Sequence, residues 1–280
     1  MKIVLLTFAA AAVLVLSGFR STLLAQGSNP LEPGDTKKAI YPGITIGYTQ
    51  SNHTANISSF LPDKDKCPNF SSGSASGFFA GVNYEHFFGE PDKTNSSLVL
   101  RVLYSTYPAS FTVTGDHMPS AVYYPGKTEP VTEYTTTDNR LEVVYSGVTV
   151  DAFYKIMFFK SDFGGLGAYI GPTMDYILTE TLDQTMNLIE PQNAQFKKDP
   201  SMEYTNNNRT IVLRKGKIPE SSSMRFGVKV SLLYEFFTKN GLIIVPHVTY
   251  NLGLTRLTTV ENWRVDAFQI ALDIRYGFSF

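Results

Sequence analysis

The chain has 280 residues, and its 24 Lys and Arg against 25 Asp and Glu give a formal net charge of -1 at pH 7. This balance argues against a nucleic-acid-binding protein, in which cations usually exceed anions. Charged residues make up 18% of the chain, below the roughly 25% of an average soluble domain, and the single cysteine excludes an internal disulfide framework and a cysteine-based zinc site.

The N-terminus has the pattern of a secretory signal peptide. A positive start precedes an apolar run over residues 3–16, and small residues follow at Ala25 and Gly27, where signal peptidase reads the chain. The apolar run is shorter than the roughly 17 residues that a membrane-spanning helix needs. We therefore predict export, with a signal peptide over residues 1–27, a periplasmic segment over 28–39 and one domain over 40–280.

Eight segments of this domain alternate apolar and polar residues with period two, the pattern of a strand with one apolar face. Helical spacing would mix the two faces. Their length is about ten residues, which a tilted transmembrane strand requires. In chain order the segments cover residues 44–48, 78–88, 98–104, 148–158, 166–178, 225–236, 242–252 and 268–280.

The connections between these segments alternate between long and short. Outer-membrane barrels have long loops outside and tight turns on the periplasmic side, so the alternation predicts an all-β, eight-stranded antiparallel up-and-down transmembrane β-barrel with long extracellular loops. At the last short connection, both flanking strands have their apolar residues at even positions, so the loop between them must contain an odd number of residues. This predicts a three-residue hairpin with Gly241 in the left-handed region. The long connections cover residues 49–76, 106–140, 180–222 and 255–262, and the short ones cover 89–97, 160–165 and 238–241.

Three positions are expected to disturb the strand ladder. The alternation changes phase at Ser146-Gly147, which predicts a β-bulge. Pro172 and Pro246 each remove a backbone donor inside a strand, which predicts a bulge or a local defect. We also expect residues 111–113 and 141–145 to continue the third and fourth strands above the membrane as an extended hairpin.

The polar faces of the strands carry equal numbers of cations and anions. In a soluble sandwich these charges would be wet, whereas in a membrane barrel they line the lumen and the apolar faces meet lipid. The aromatic residues near the strand ends favour the barrel. Because an eight-stranded barrel is too narrow for a water channel, the charges would have to pair inside it. The predicted lumen network comprises Arg101, Lys155, Arg225, Lys229 and Arg275 with Glu85, Asp151, Asp175, Glu235 and Asp273.

The chain ends with alternating aromatic residues, Tyr276, Phe278 and Phe280. This end resembles the C-terminal assembly signal of bacterial outer-membrane barrels, which their insertion machinery reads. Residues 165–172 resemble the glycine-rich strand ending in Gly-Pro of the PorT-like outer-membrane β-barrel domain family, and residues 246–254 resemble its Tyr-x-Leu-Gly-Leu strand. The resemblance covers residues 40–280. It implies a bacterial outer-membrane location, with outer-membrane lipid and the barrel-insertion machinery as partners.

Motifs that carry catalysis are mostly absent. The Gly165-x-Gly167 pair lacks the third glycine and the helix of a dinucleotide fingerprint, and the four histidines are not spaced as metal ligands. A lipase built on His247, Ser231 and Glu235 is conceivable, but a place for His247 in the lumen network is the preferred interpretation. We therefore expect no enzymatic activity, no cofactor and no metal site.

The sequence leaves three roles open. The preferred role is a non-enzymatic outer-membrane barrel with a filled lumen that is structural for the envelope, or binds surface and envelope partners through its outer loops. The alternatives are a component of a secretion or gliding apparatus, which the PorT-like resemblance implies, and a soluble exported β-sandwich or lipocalin-like binder. A small basic cluster in the third outer loop either contacts lipopolysaccharide phosphates or is solvated; it comprises Arg214, Lys215 and Lys217.

Overall fold

A computed structural model describes residues 39–57, 69–89, 94–161, 163–238 and 241–279. The predicted signal peptide over 1–27, all but the last residue of the segment 28–39, and Phe280 lie outside these residues. Within the described ranges, no helix is long and apolar enough to cross a membrane.

The described chain folds into antiparallel β-strands. In chain order they are β1 (Ala39–Ile57), β2 (Phe70–Phe87), β3 (Ser96–Thr106), β4 (Ala109–Tyr123), β5 (Val131–Ser161), β6 (Gly164–Glu190), β7 (Gln195–Phe196), β8 (Glu203–Thr205), β9 (Thr210–Lys217), β10 (Met224–Phe237), β11 (Leu242–Gly253), β12 (Arg264–Tyr276) and β13 (Phe278–Ser279).

Eight of these strands close into a ring. Each strand pairs antiparallel with the next in the order β1, β2, β3, β5, β6, β10, β11 and β12, and β12 returns to β1. At the closure Ile44 lies opposite Ile274 of β12 and also opposite Val82 of β2. The described parts of the eight predicted segments lie in this ring in the predicted order, and the last of them ends in β13, which pairs with β1. The up-and-down barrel is therefore confirmed. The soluble sandwich is wrong, because the described strands form one closed sheet and not two sheets packed face to face.

A continuous belt of apolar side chains covers the outside of the ring. On β1 this lipid belt ends at Tyr48, because the next outward residues are Gln50, Asn52 and Thr54. A soluble protein rarely exposes so large an apolar surface, whereas an apolar exterior around a polar interior is typical of a transmembrane β-barrel. The belt includes Ile44, Ile46, Phe78, Val82, Val102, Tyr104, Tyr154, Ile156, Ile170, Phe226, Val230, Leu232, Val248, Tyr250, Phe268 and Ile270.

The strands extend further than the sequence predicted. β1 continues to Ile57 and β2 begins at Phe70, while β5 has 31 residues and β6 has 27, so much of the predicted outer loops is strand. Above the lipid the outward face becomes polar and the apolar alternation is lost, although the inward face stays buried at Ser51, His53 and Ala55. The alternation therefore marks the edge of the lipid, not the end of a strand.

Beyond the lipid belt the β5–β6 hairpin is widened by four further strands of the same sheet. β4 pairs with β5 and includes the pair Phe111–Leu141, which confirms the predicted extended hairpin. β9 pairs with β6, β8 with β9, and β7 with β4. We call these four strands, together with residues 131–145 and 179–190, the projecting sheet. It has its own apolar core, which comprises Val122, Met186, Leu188, Ala194, Phe196 and Ile211.

The local irregularities lie where the sequence predicted them, and each of the two prolines gives a local defect and not a bulge. The register of the β5–β6 pair shifts between Ser146 and Gly147, which confirms the bulge. Gly241 has φ of 76° in a turn closed by the Thr238 N–H and the Leu242 carbonyl, which confirms the three-residue hairpin. The register is the same on both sides of Pro172 and of Pro246, so no bulge forms there. Each proline costs one ladder donor without adding a residue.

Candidate functional site

The structure places all ten predicted charged residues inside the barrel. Their exposed fractions lie between 0 and 2%, so each would be costly if it had no partner. They form two clusters, each with equal numbers of cations and anions. The lower cluster, on the periplasmic side, comprises Glu85, Arg101, Lys155, Glu235, Asp273 and Arg275, and the upper cluster comprises Asp151, Asp175, Arg225 and Lys229.

Arg275 lies at the centre of the lower cluster. Its Nη1 donates to Glu85 Oε2 at 2.5 Å, and its Nη2 donates to Asp273 Oδ2 at 2.6 Å and to the Tyr169 hydroxyl at 2.5 Å. Asp273 Oδ2 also accepts from Arg101 Nη2 at 2.6 Å. One carboxylate therefore bridges two guanidinium groups, so the three ions are held as a unit and not as separate pairs.

Lys155 completes the lower cluster on the opposite wall. Its Nζ donates to Glu235 Oε1 at 2.7 Å and also contacts Glu85. The Ser97 hydroxyl donates at 2.5 Å to Glu85 Oε1, the oxygen that Lys155 contacts. The ammonium group of Lys155 lies 5.0 Å from the centroid of the Phe87 ring. Charge-assisted hydrogen bonds of this kind offset the cost of burying the ions.

The upper cluster consists of two ion pairs. Lys229 Nζ donates to both oxygens of Asp151 at 2.9 and 3.0 Å. Arg225 Nε donates to Asp175 Oδ2 at 2.8 Å, and its guanidinium lies 4.3 Å from the centroid of the Tyr107 ring. The Tyr107 ring therefore adds a cation–π contact to the Arg225–Asp175 pair.

Apolar side chains separate the clusters along one wall. Phe79, Leu103 and Ala271 pack together there. Leu103 lies two residues beyond Arg101 along β3, and Ala271 lies two residues before Asp273 along β12. An eight-stranded barrel is just wide enough for its inward side chains. The described lumen is therefore filled, and its formal charges balance without a counter-ion.

The His247, Ser231 and Glu235 side chains do not form a catalytic triad. His247 Nδ1 lies 3.1 Å from the Thr249 hydroxyl and its Nε2 lies 3.4 Å from Asp273 Oδ1, while the Ser231 hydroxyl bonds to Thr249 at 2.6 Å. Thr249 thus stands between the histidine and the serine, and Glu235 is held by Lys155. His247 belongs to the lumen network.

An apolar plug above the upper cluster was not predicted from the sequence. At its centre Trp263 Nε1 donates to His53 Nδ1 at 3.0 Å, and His53 Nε2 donates to the Tyr107 carbonyl at 3.1 Å. His53 lies beyond the end of the lipid belt at Tyr48. Burial, together with the nearby Arg225 guanidinium, lowers the pKa of His53 to about 3, so the ring is neutral. This outer plug also includes Ile57, Phe70, Phe111, Leu141, Val143, Tyr145, Leu257 and Val265.

A single arginine organises the tip of the projecting sheet. Arg209 follows Asn206, Asn207 and Asn208, which have φ between 49° and 58° and form the left-handed turn between β8 and β9. Its guanidinium reaches across to the segment after β6 and donates to the carbonyls of Leu188 at 2.8 Å, Ile189 at 3.3 Å, Pro191 at 3.2 Å and Ala194 at 2.7 Å, and to that of Gln192.

Of the remaining predicted residues that the structure describes, Arg214 is half-buried and the others lie at the surface. Lys215 and Lys217 of the basic cluster lie on β9, where Lys215 Nζ is 3.5 Å from Asp183 and both partners are solvent-exposed, so that pair contributes little stability. Tyr276 and Phe278 of the predicted assembly signal are exposed, with ring centroids 4.8 Å apart. Among the described residues, no group of three His, Cys, Asp or Glu side chains is placed to hold a metal ion.

No protein-family model matches the chain, and no curated protein matches it. Solved structures with a similar arrangement include Neisserial surface protein A (12% identity, 86% of this chain and 100% of that one, TM-score 0.36). Others are the outer membrane protein OprG from Pseudomonas aeruginosa (9% identity, 86% and 97%, TM-score 0.39) and Ail of Yersinia pestis (10% identity, 85% and 99%, TM-score 0.28). Because these TM-scores are low, the fold of this chain is established by its own strand pairing and not by the likeness to these structures. The closed ring, apolar exterior and filled lumen are the architecture of an outer-membrane β-barrel.

Proposed function

We propose that this outer-membrane barrel is a non-enzymatic scaffold that presents the projecting sheet at the cell surface for binding. The observation that carries the proposal is the sheet itself. Four strands are added to the β5–β6 hairpin beyond the lipid belt, around an apolar core that the membrane-spanning part does not need. A barrel with a purely structural role in the envelope would be complete with short outer turns.

The interior of the barrel supports a scaffold role. The His247 and Ser231 side chains are both 3% exposed and lie between apolar clusters at either end of the lumen. A substrate would have to displace paired ions to reach them, at a cost of several kcal/mol for each uncompensated charge. Binding is therefore assigned to the projecting sheet and not to the lumen.

The PorT-like resemblance carries the alternative proposal, a place in a secretion or gliding apparatus. Such a role would use periplasmic partners or translocating chains, and it would not require the tip of the projecting sheet. The two roles therefore predict different consequences when the tip is removed and the barrel is kept.

A trimmed chain tests the proposal. Asn187 lies opposite Thr210, so residues 189–208 can be replaced by an Asn-Gly turn that keeps the β6–β9 hairpin and removes β7 and β8. We expect the trimmed barrel to assemble normally, as shown by a heat-modifiable band on a gel. We expect whole cells that carry it to lose adhesion to the glycan- and protein-coated surfaces that cells with the full chain bind.

Unchanged adhesion would contradict the surface-binding proposal. Loss of protein secretion or gliding with adhesion intact would favour the PorT-like role. Release of the full-length chain from membranes by high-pH carbonate without detergent would contradict both, because an integral barrel stays with the lipid.

A further inference from the structure

One part of the outer surface above the lipid belt has no charge. It is formed by the outward side chains of β1 and of the start of β2, and we call it the polar face. Nearly all of its side chains are exposed, and all are hydroxyls or amides. The face comprises Gln50, Asn52, Thr54, Asn56, Asn69, Ser72, Ser74 and Ser76.

The polar face is a regular and rigid platform. Cross-strand pairs place Gln50 opposite Ser76 and Asn52 opposite Ser74. The inward side chains of the same strands, among them His53, are buried in the outer plug. Because both strands are anchored from inside, the backbone that carries the outward side chains is held in place, and a ligand would lose little free energy in ordering that backbone.

The absence of charge is confined to these two strands, because on the neighbouring β12 the outward residues Asp266 and Arg264 lie opposite Asn52 and Thr54. Residues 39–57 and 69–84 contain no Asp, Glu, Lys or Arg. Further round the barrel the outward side chains form ion pairs such as Arg140 with Glu142, which lies two strands from Ser74, and Lys215 with Asp183. A surface that meets only water usually carries about a quarter to a third of charged residues, so the polar face is adapted to a neutral, hydrogen-bonding neighbour.

The polar face continues directly from the lipid belt. The Tyr48 hydroxyl bonds to Gln50 at 2.8 Å and to Ser76 at 2.6 Å, so the last belt residue joins the first row of the face. With a rise of about 3.4 Å per residue and a tilt near 45°, Asn52 lies about 10 Å above Tyr48. This is the level of the headgroup of a lipid whose acyl chains contact the belt. Within the described ranges, the side chains of Asn52, Thr54, Ser72 and Ser74 have no hydrogen-bond partner in the chain.

We propose that the polar face binds the uncharged sugar residues of an outer-leaflet glycolipid whose acyl chains lie against the lipid belt. Sugar hydroxyls both donate and accept hydrogen bonds, as the amides and hydroxyls of this face do. The side chains of the face itself offer no cation to a lipid phosphate, and the neighbouring Arg264 of β12 lies beside Asp266 on the same outward face. The inference rests on the outer-membrane position of the barrel and not on the binding role of the projecting sheet.

The test compares the folded full chain with two triple variants in detergent. Asn52→Ala/Thr54→Ala/Ser74→Ala strips the polar face, and Thr112→Ala/Thr114→Ala/Thr132→Ala removes three equally exposed hydroxyls from β4 and β5 as a matched control. Each is titrated with lipopolysaccharide that carries its core sugars, with lipid A alone, and with the free core oligosaccharide, and binding is measured by native mass spectrometry. A heat-modifiability gel shows that each variant is folded.

We expect the wild type and the control to bind the sugar-bearing glycolipid about tenfold more tightly than lipid A, the equivalent of one or two net hydrogen bonds. The polar-face variant should lose this preference while its affinity for lipid A stays the same. Equal binding of the two lipids by the wild type, or a preference that survives in the polar-face variant, would overturn the proposal. So would binding of the free oligosaccharide as tightly as of the whole glycolipid, because the ligand would then be a soluble saccharide.

Discussion

Trp263 Nε1 donates a hydrogen bond to His53 Nδ1, and this contact joins two residues 210 positions apart at the outer end of the barrel. Because His53 Nε2 donates to the Tyr107 carbonyl, both ring nitrogens are satisfied only when the ring is neutral. A proton on Nδ1 would place two donors against each other in a buried site. The outer plug therefore depends on the protonation state of one histidine.

The first prediction concerns the pH dependence of this plug. The pKa of His53 is about 3 in the folded chain and about 6.5 when unfolded, so between these values only the unfolded chain binds the proton. The wild type should therefore lose stability as the pH falls from 7 to 4, by about 3 kcal/mol from this group. His53→Gln should lose that much less over the same range. Urea unfolding at both pH values can be followed through the fluorescence of Trp263, the single tryptophan of the chain.

Parallel pH profiles of the wild type and His53→Gln would contradict this prediction. The comparison with the variant is needed because the carboxylates of the lumen also titrate at low pH. Their contribution is the same in both proteins and cancels in the difference.

The second prediction concerns the Lys229–Asp151 ion pair of the upper cluster. Lys229→Met leaves the Asp151 carboxylate buried without its cation, and we expect the free energy of unfolding to fall by about 3–5 kcal/mol. Adding Asp151→Leu should restore most of the loss, because the second charge is then also removed. The control Lys215→Met breaks an exposed pair and should change stability by less than about 1 kcal/mol. A double variant that is no more stable than the single one would show that the pair does not carry the effect.

The third prediction concerns transport. Because paired ions and two apolar clusters fill the lumen, the purified barrel should produce no steady conductance in a planar lipid bilayer. A 16-stranded porin inserted in the same bilayer provides the positive control. Reproducible single-channel steps from the wild-type protein would show that the lumen opens, and the filled interior would then not describe the barrel in a membrane.

The fourth prediction concerns the tip of the projecting sheet. Arg209→Ala leaves the carbonyls of the segment 188–194 without their shared donor, so that segment should be cut faster by added protease while the barrel stays intact. Arg256→Ala changes an exposed arginine of the last outer loop and serves as the control. Equal cleavage rates in the two variants would contradict the role given to Arg209.

The membrane-spanning ring could be predicted from the sequence because one physical rule governs it. In a segment such as 225–236, every second residue faces lipid, so the position of Phe226 fixes the faces of Arg225 and Lys229. The same alternation of outward and inward residues predicted that the other lumen charges face the inside of the barrel. The β-bulge at Ser146-Gly147 was predictable for the same reason, since a change of phase needs an extra residue.

The pairing inside the lumen could not be predicted from parity. Parity gives the face of a strand but not which residue lies across the barrel, so nothing in the sequence links Lys229 to Asp151, 78 positions away. Most of the strand residues above the lipid were missed because water accepts a polar outer face. Of β4 only residues 111–113 were predicted, and β9 was not predicted. For that reason His53 fell in a segment predicted as a loop, and Trp263 fell between the last predicted loop and the last predicted strand.

The most direct test of the account is the environment of the outward side chains. Spin labels at Ile46, Val230 and Ile270, introduced as cysteines with Cys67 replaced, should collide readily with oxygen and poorly with a water-soluble nickel chelate after reconstitution in lipid. A label at Asn56, above the lipid belt, should show the opposite preference. Access of the nickel chelate to Ile46, Val230 and Ile270 equal to that at Asn56 would contradict the assignment of these side chains to lipid, and with it the transmembrane barrel.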